Sequence, residues 1–226
     1  MIRDDRRRRA LAVLALGLTL VACGTTGTLK KFKDQAAAGD YAWIAQQQVT
    51  CSPAADGCNQ LHLIKGDACF RLAKQGNEPR VHYACAATEL QTGIDETRDW
   101  RLDELDLGRA QTYENLCEAL RQWQNLEKGP DADQLTRKLA DAAQRFLAVE
   151  PGNLAAIYFQ NSARFTMLRA DLLDPRDPAD LCRQLNDILG ALAAAEPRAG
   201  GTRYQANYAR LRSDVSGAKA TVAGCT

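Results

Sequence analysis

Tyr158-Phe159-Gln160-Asn161-Ser162-Ala163-Arg164-Phe165 recurs 46 residues later as Tyr204-Gln205-Ala206-Asn207-Tyr208-Ala209-Arg210-Leu211. Tyr, Asn, Ala and Arg keep the same offsets in both copies, and each copy follows an Ala-rich stretch that ends in Glu-Pro. A fainter third copy, Tyr113-Glu114-Asn115-Leu116-Cys117-Glu118-Ala119-Leu120, lies 45 residues upstream of the first. A fixed period of roughly 20 to 50 residues marks stacked helical hairpins, because one hairpin alone cannot bury its apolar face. The fold expected from this repetition is all-α, a short α-solenoid of antiparallel hairpins, with an irregular helical bundle as the alternative.

The flanking sequence reads the same way. Apolar residues recur at three- and four-residue spacing, as in Leu135, Leu139, Ala142, Ala143, Phe146 and Leu147, or Leu181, Leu185, Ile188, Leu189 and Leu192. No alternating Val/Ile/Thr run and no Asn-Gly hairpin turn argues for strands. Breakers divide the helices at Ser52-Pro53 to Gly57, Gly76 to Pro79, Gly129-Pro130-Asp131, Glu150 to Asn153, Asp174 to Pro178 and Glu196-Pro197. The expected helices cover 29–38, 40–50, 58–75, 80–92, 109–127, 131–149, 154–172, 178–195 and 202–214.

Three segments resemble the tetratricopeptide repeat. Gly39-Asp40-Tyr41 with Ile44 and Ala45 is similar to the opening of its second helix, and Lys65-Gly66-Asp67-Ala68-Cys69-Phe70 to part of its first. Ala148-Val149-Glu150-Pro151-Gly152-Asn153 is similar to the segment that closes a repeat. The spacing of 45 to 46 residues exceeds the family's usual 34, so longer inter-helix loops would supply the excess. The resemblance implies a TPR-like domain over 39–226 whose first helices line a concave face that holds peptide segments through Asn and Arg.

The chain starts with a different signal. Five arginines, Arg3 and Arg6 to Arg9, precede 13 apolar or small residues from Ala10 to Ala22. A basic segment, a short apolar run and small residues describe a secretory signal, and the run falls short of the roughly 20 residues that span a bilayer. Leu20-Val21-Ala22-Cys23 resembles the lipobox of bacterial lipoproteins, in which the cysteine sulfur is lipidated and the chain is cut just before it. The expected organisation is a signal peptide at 1–22, a lipidated tether and first short helix at 23–38, and the helical domain at 39–226. Gly24 to Thr28 reads as the tether. The resemblance implies attachment of Cys23 to the outer membrane, on its periplasmic face or the cell surface. Gly24 stands where Asp would retain a lipoprotein of enteric bacteria in the inner membrane.

Without residues 1–22 the chain keeps 24 basic and 26 acidic residues, since five Arg and two Asp lie in the removed part. A net charge of −2 with no basic face excludes nucleic acid as the expected partner. About 200 residues suffice for one ordinary core or a short repeat array. Eight cysteines suit an oxidising compartment, where thiols pair. Cys51 and Cys58 flank a loop long enough to close. Cys69 and Cys85 lie about equally far on either side of the bend near residue 77, so antiparallel helices bring them level. The expected disulfides are Cys51–Cys58, Cys69–Cys85 and Cys182–Cys225, with Cys117 left over.

No metal is expected, because no C-x2-C occurs and His62 and His82 stand in no ligand spacing. No cofactor and no catalytic residue is expected either, since the chain lacks G-x-S-x-G, HExxH and P-loop motifs. Asp103, Glu104 and Asp106 read as a solvated acidic cluster. Asn161 with Arg164, and Asn207 with Arg210, are i,i+3 pairs that would stack into one polar row able to grip a peptide amide or a carboxylate. Repeat-to-repeat packing, with Arg binding neighbouring carbonyls, is the competing role for them. Tyr158 and Tyr204 read as core wedges. The function expected is a lipid-anchored periplasmic adaptor that holds envelope proteins, with a small-ligand binder or enzyme using an interior pocket as the alternative.

Overall fold

The structure is a computed structural model that describes residues 24–98, 100, 108–169, 171–172 and 177–225. The signal segment 1–22, Cys23 and the cluster Asp103, Glu104 and Asp106 lie outside the described residues. The protein is all-α: among the described residues every regular element is a helix. They are α1 (24–38), α2 (Tyr41–Gln46), α3 (Cys58–Lys74), α4 (Pro79–Glu96), α5 (Arg109–Leu126), α6 (Pro130–Val149), α7 (Leu154–Leu168), α8 (Pro178–Ala199) and α9 (Gln205–Thr221). No helix among the described residues is long and apolar enough to cross a membrane.

The helix starts follow local chemistry. The Asp40 side chain accepts from Trp43 N at 3.0 Å and opens α2. Asn153 accepts from Ala155 N and Ala156 N to open α7, and Asp177 does the same for Ala179 N and Asp180 N at α8. Each satisfies donors that the first turn leaves unpaired. Pro79, Pro130 and Pro178 occupy first-turn positions, where a missing N–H costs no hydrogen bond.

Several boundaries differ from expectation, the largest being the end of α9 at Thr221 rather than 214. Residues 24–28 are helical rather than a loose tether, with Thr28 Oγ1 bonded to Gly24 O and Thr25 buried. Residues 47–50 are not helical, so α2 stops at Gln46. Finally, α8 continues through Glu196-Pro197 to Ala199. A proline so near the C-terminus removes a single ladder bond, and extension buries Ala195 and Ala199.

The described residues fall into two compact units, one up to Gly108 and one from Arg109. In the first, Phe32, Ile44, Leu61, Ile64 and Ala68 bring α1, α2 and α3 together, with Trp43 edge-on to Phe32 at 5.7 Å. Helices α3 and α4 form a close hairpin. A Cβ on Gly66 would lie 2.6 Å from Leu90 Cγ, and one on Gly93 would lie 2.6 Å from Leu63 Cδ2. The two glycines thus receive reciprocal leucines and let the backbones approach.

In the second unit each helix packs on the next, from α5 to α9, and α7 also touches both α5 and α9. This is the neighbour-to-neighbour pattern of stacked hairpins. The repeated Tyr-x-x-Asn segments fall on α7 and α9, and the fainter third copy on α5. Leu135, Leu139, Ala142, Ala143 and Phe146 of α6 are buried as expected, as are Leu181, Leu185, Ile188 and Leu192 of α8; Leu147 and Leu189 are only half-buried.

All three expected disulfides form. Their Cα separations are 5.8 Å for Cys51–Cys58, 6.0 Å for Cys69–Cys85 and 5.5 Å for Cys182–Cys225, within the reach of the bond. Cys117 is free and buried.

Candidate functional site

The α5, α7 and α9 helices carry a polar cluster in the second unit. Glu114, Glu118 and Arg121 follow one another along α5 at i, i+4 and i+7, on one face. Arg121 Nη1 donates to Tyr158 Oη of α7 at 2.8 Å, and Arg121 Nη2 to Glu118 Oε1 at 3.2 Å. The Arg121 guanidinium also stands over the rings of Tyr158 and Phe159, 5.6 and 5.9 Å from their centres. From the start of α9, the Tyr204 hydroxyl and the Arg203 guanidinium both donate to Glu114 Oε1.

The electrostatics hold together. Burial would lower the pKa of Arg121, but Glu118 and the tyrosines outweigh it and keep the guanidinium protonated. Burial and the Glu114 carboxylate push Tyr204 far above its ordinary value, so its hydroxyl stays a donor. Arg121 Nε is buried without a hydrogen-bond partner among the described residues.

The Asn–Arg pairs singled out in the sequence do not build this cluster. Asn161 is 1% exposed and its Nδ2 donates to Ile157 O of its own helix at 2.8 Å. It points into the interior, so the expected surface row of Asn161, Arg164, Asn207 and Arg210 lacks its first member. Arg164 and Asn207 are half-buried and Arg210 is exposed. Carbonyl binding, the competing role for arginine, falls to two others: Arg109 Nη2 donates to Val149 O at the end of α6, and Arg198 Nη1 to Gly152 O, both at 3.0 Å. Tyr158 is a buried wedge, whereas Tyr204 is half-buried and Tyr208 takes the deeper place, donating to Leu154 O at 2.8 Å. Burial pushes Tyr208 up to about 12.

The first unit holds a second grouping. His62 Nδ1 lies 2.6 Å from Glu89 Oε2 and Lys65 Nζ 2.7 Å from Glu89 Oε1, all three side chains being largely buried. Burial alone would raise the Glu89 pKa, but hydrogen bonds from His62 and Lys65 outweigh it and hold the carboxyl below its ordinary range. His62 also lies beside the Cys51–Cys58 disulfide: a ring nitrogen and both sulfurs fall within 4.8 Å of one another. Absence of C-x2-C hid this grouping in the sequence. The signal present was Cys58 and His62 at i,i+4 on α3.

Compared with known protein families, curated proteins and solved structures, the chain matches none.

Proposed function

We propose that this protein is a lipid-anchored adaptor of the bacterial envelope that holds protein partners on the α5, α7 and α9 side of its second helical unit. One observation carries the reading: side chains from α5, α7 and the start of α9 converge in one partly exposed polar cluster, with the Arg203 guanidinium largely exposed at its edge. The TPR-like arrangement of hairpins supports it, because such helices commonly present a continuous surface to an extended peptide. A partner carboxylate suits Arg203, whose largely exposed guanidinium has further N–H donors besides the one that meets Glu114. The lipobox-like end Leu20-Val21-Ala22-Cys23 supports the anchor, with Cys23 carrying lipid on the periplasmic face of the outer membrane. Binding rather than catalysis is the proposed activity.

The test places a photo-crosslinking residue in the full chain, in intact envelopes. Positions Glu118 and Arg203 sample the cluster, Arg210 the exposed side of α9, and Lys138 an exposed site on α6. Crosslinking of one protein at Glu118 and Arg203, and not at Lys138, is the result expected. Equal crosslinking at all four positions, or none at the cluster, rejects the face. Anchoring is read separately: Cys23→Ala should release the protein from membranes or leave it unprocessed.

A further inference from the structure

The geometry points to a redox-gated metal site in the first unit: reduction of Cys51–Cys58 exposes two thiolates that, with His62, bind a soft or borderline divalent cation such as Zn2+. Three observations carry it. Cys51, Cys58 and His62 bring two sulfurs and a ring nitrogen within 4.8 Å of one another. Tetrahedral ligands at about 2.0–2.3 Å from zinc stand roughly 3.5–3.8 Å apart, so these side chains need only local adjustment to close on an ion. Cys51 supplies that adjustment, since it sits half-buried in the irregular segment 47–57, whereas Cys58 and His62 are one turn apart on the rigid α3.

Second, His62 already has the carboxylate partner that metal-ligating histidines usually have. Glu89 Oε2 lies 2.6 Å from its Nδ1, which leaves Nε2 as the ligating atom and fixes the tautomer. Third, the charges balance. Two thiolates cancel the dication, and Lys65 neutralises Glu89. Cys58 is also the first residue of α3, where the amide dipoles favour a thiolate over a thiol.

The chemistry runs in two steps. A dithiol reductant attacks the more exposed Cys51 sulfur and then resolves its own mixed disulfide. The Cys51–Cys58 bond breaks, both cysteines become thiols, and the reductant becomes a disulfide. The cation then displaces both thiol protons and forms two sulfur bonds and one nitrogen bond, with water in the fourth position.

The test uses the full chain with Zn2+ alone, competed against a chromophoric chelator before and after mild dithiol reduction and removal of the dithiol. Peptide mapping identifies the reduced bonds. We expect one tight Zn2+ per chain after reduction and none before it. Cys51→Ser should abolish binding, His62→Ala should weaken it more than tenfold, and Glu89→Gln should weaken it about 10- to 100-fold. Cys69→Ser should leave it unchanged. Equal uptake in both redox states, no uptake after reduction, or indifference to Cys51→Ser or His62→Ala overturns the proposal. If reduction lowers helicity, one equivalent of Zn2+ must restore it, and failure to do so also overturns it.

Discussion

Gly66→Ala and Gly190→Ala make the same chemical change and should move stability in opposite directions. A new Cβ at Gly66 would lie 2.6 Å from Leu90 Cγ, 2.8 Å from Leu90 Cδ2 and 2.9 Å from Leu90 N. Rotating the leucine can relieve the first two contacts but not the third, which is backbone of α4. The hairpin must therefore open. Alanine gains about 1 kcal/mol of helix propensity over glycine, but overpacking a close-packed site costs typically 1–3 kcal/mol. With backbone involved, the upper half of that range applies, so the net loss is about 1–2 kcal/mol. Gly190 of α8 has nothing within 4 Å of an added Cβ, so alanine there should add about 0.5–1 kcal/mol. Denaturant unfolding followed by far-UV circular dichroism measures both, and hydrogen exchange of peptides assigns each change to α3–α4 or α8. Since Gly93 meets Leu63 in the same interface, Gly66→Ala with Gly93→Ala should cost less than the two single losses together. A Gly66→Ala variant as stable as the parent, beside a Gly190→Ala variant that gains, would show that α3 and α4 do not approach as closely as described.

Further outcomes follow from single features. Replacing Cys182 and Cys225 by serine releases a loop of 43 residues, and chain entropy sets the loss at about 4 kcal/mol, readable as a lower denaturation midpoint. Cys117 is buried, and desolvation with the nearby Glu114 and Glu118 carboxylates pushes its thiol far up. It should resist alkylation in the native chain and react fully once the chain is unfolded. Glu89 has its folded pKa held below the ordinary value of 4.5, so it contributes stability above that value and loses it as pH falls through the folded one. Glu89→Gln should therefore destabilise the protein at neutral pH, and the difference from the parent should shrink on acidification below 4.5.

The helices were legible because their apolar spacing and their Asn, Asp, Pro and Gly boundaries are local signals. The disulfides were legible for a related reason: Cys69 and Cys85 straddle a turn symmetrically, and symmetry about a turn predicts adjacency in antiparallel helices. The polar clusters were not. Glu114 and Tyr204 meet 90 residues apart, and His62 and Glu89 meet 27 apart, so each depends on the register between helices rather than on either helix alone. Asn161 shows the limit of pattern matching. Its recurrence at Asn207 suggested a shared surface, yet α7 touches both α5 and α9 and turns Asn161 inward, while Asn207 on α9 is half-buried.

The placing of the cysteines in the second unit follows how much each helix buries. Helix α9 buries Tyr208, Leu211 and Val215, whereas α6, packed between α5 and α7, buries Leu135, Thr136, Leu139, Ala142, Ala143 and Phe146. Cys182–Cys225 ties the segment after α9 back to the start of α8, where burial is thin. In the first unit, Cys51–Cys58 fastens the irregular segment before α3, and Cys69–Cys85 links α3 and α4 within the hairpin where Gly66 and Gly93 each receive a leucine from the facing helix. Cys117 sits on α5 among Thr112, Tyr113, Leu116 and Leu120, inside the buried array, and remains a thiol. In the second unit the covalent link thus stands where apolar burial is thin and the unpaired cysteine where it is dense, whereas in the first unit Cys69–Cys85 lies inside a well-buried hairpin.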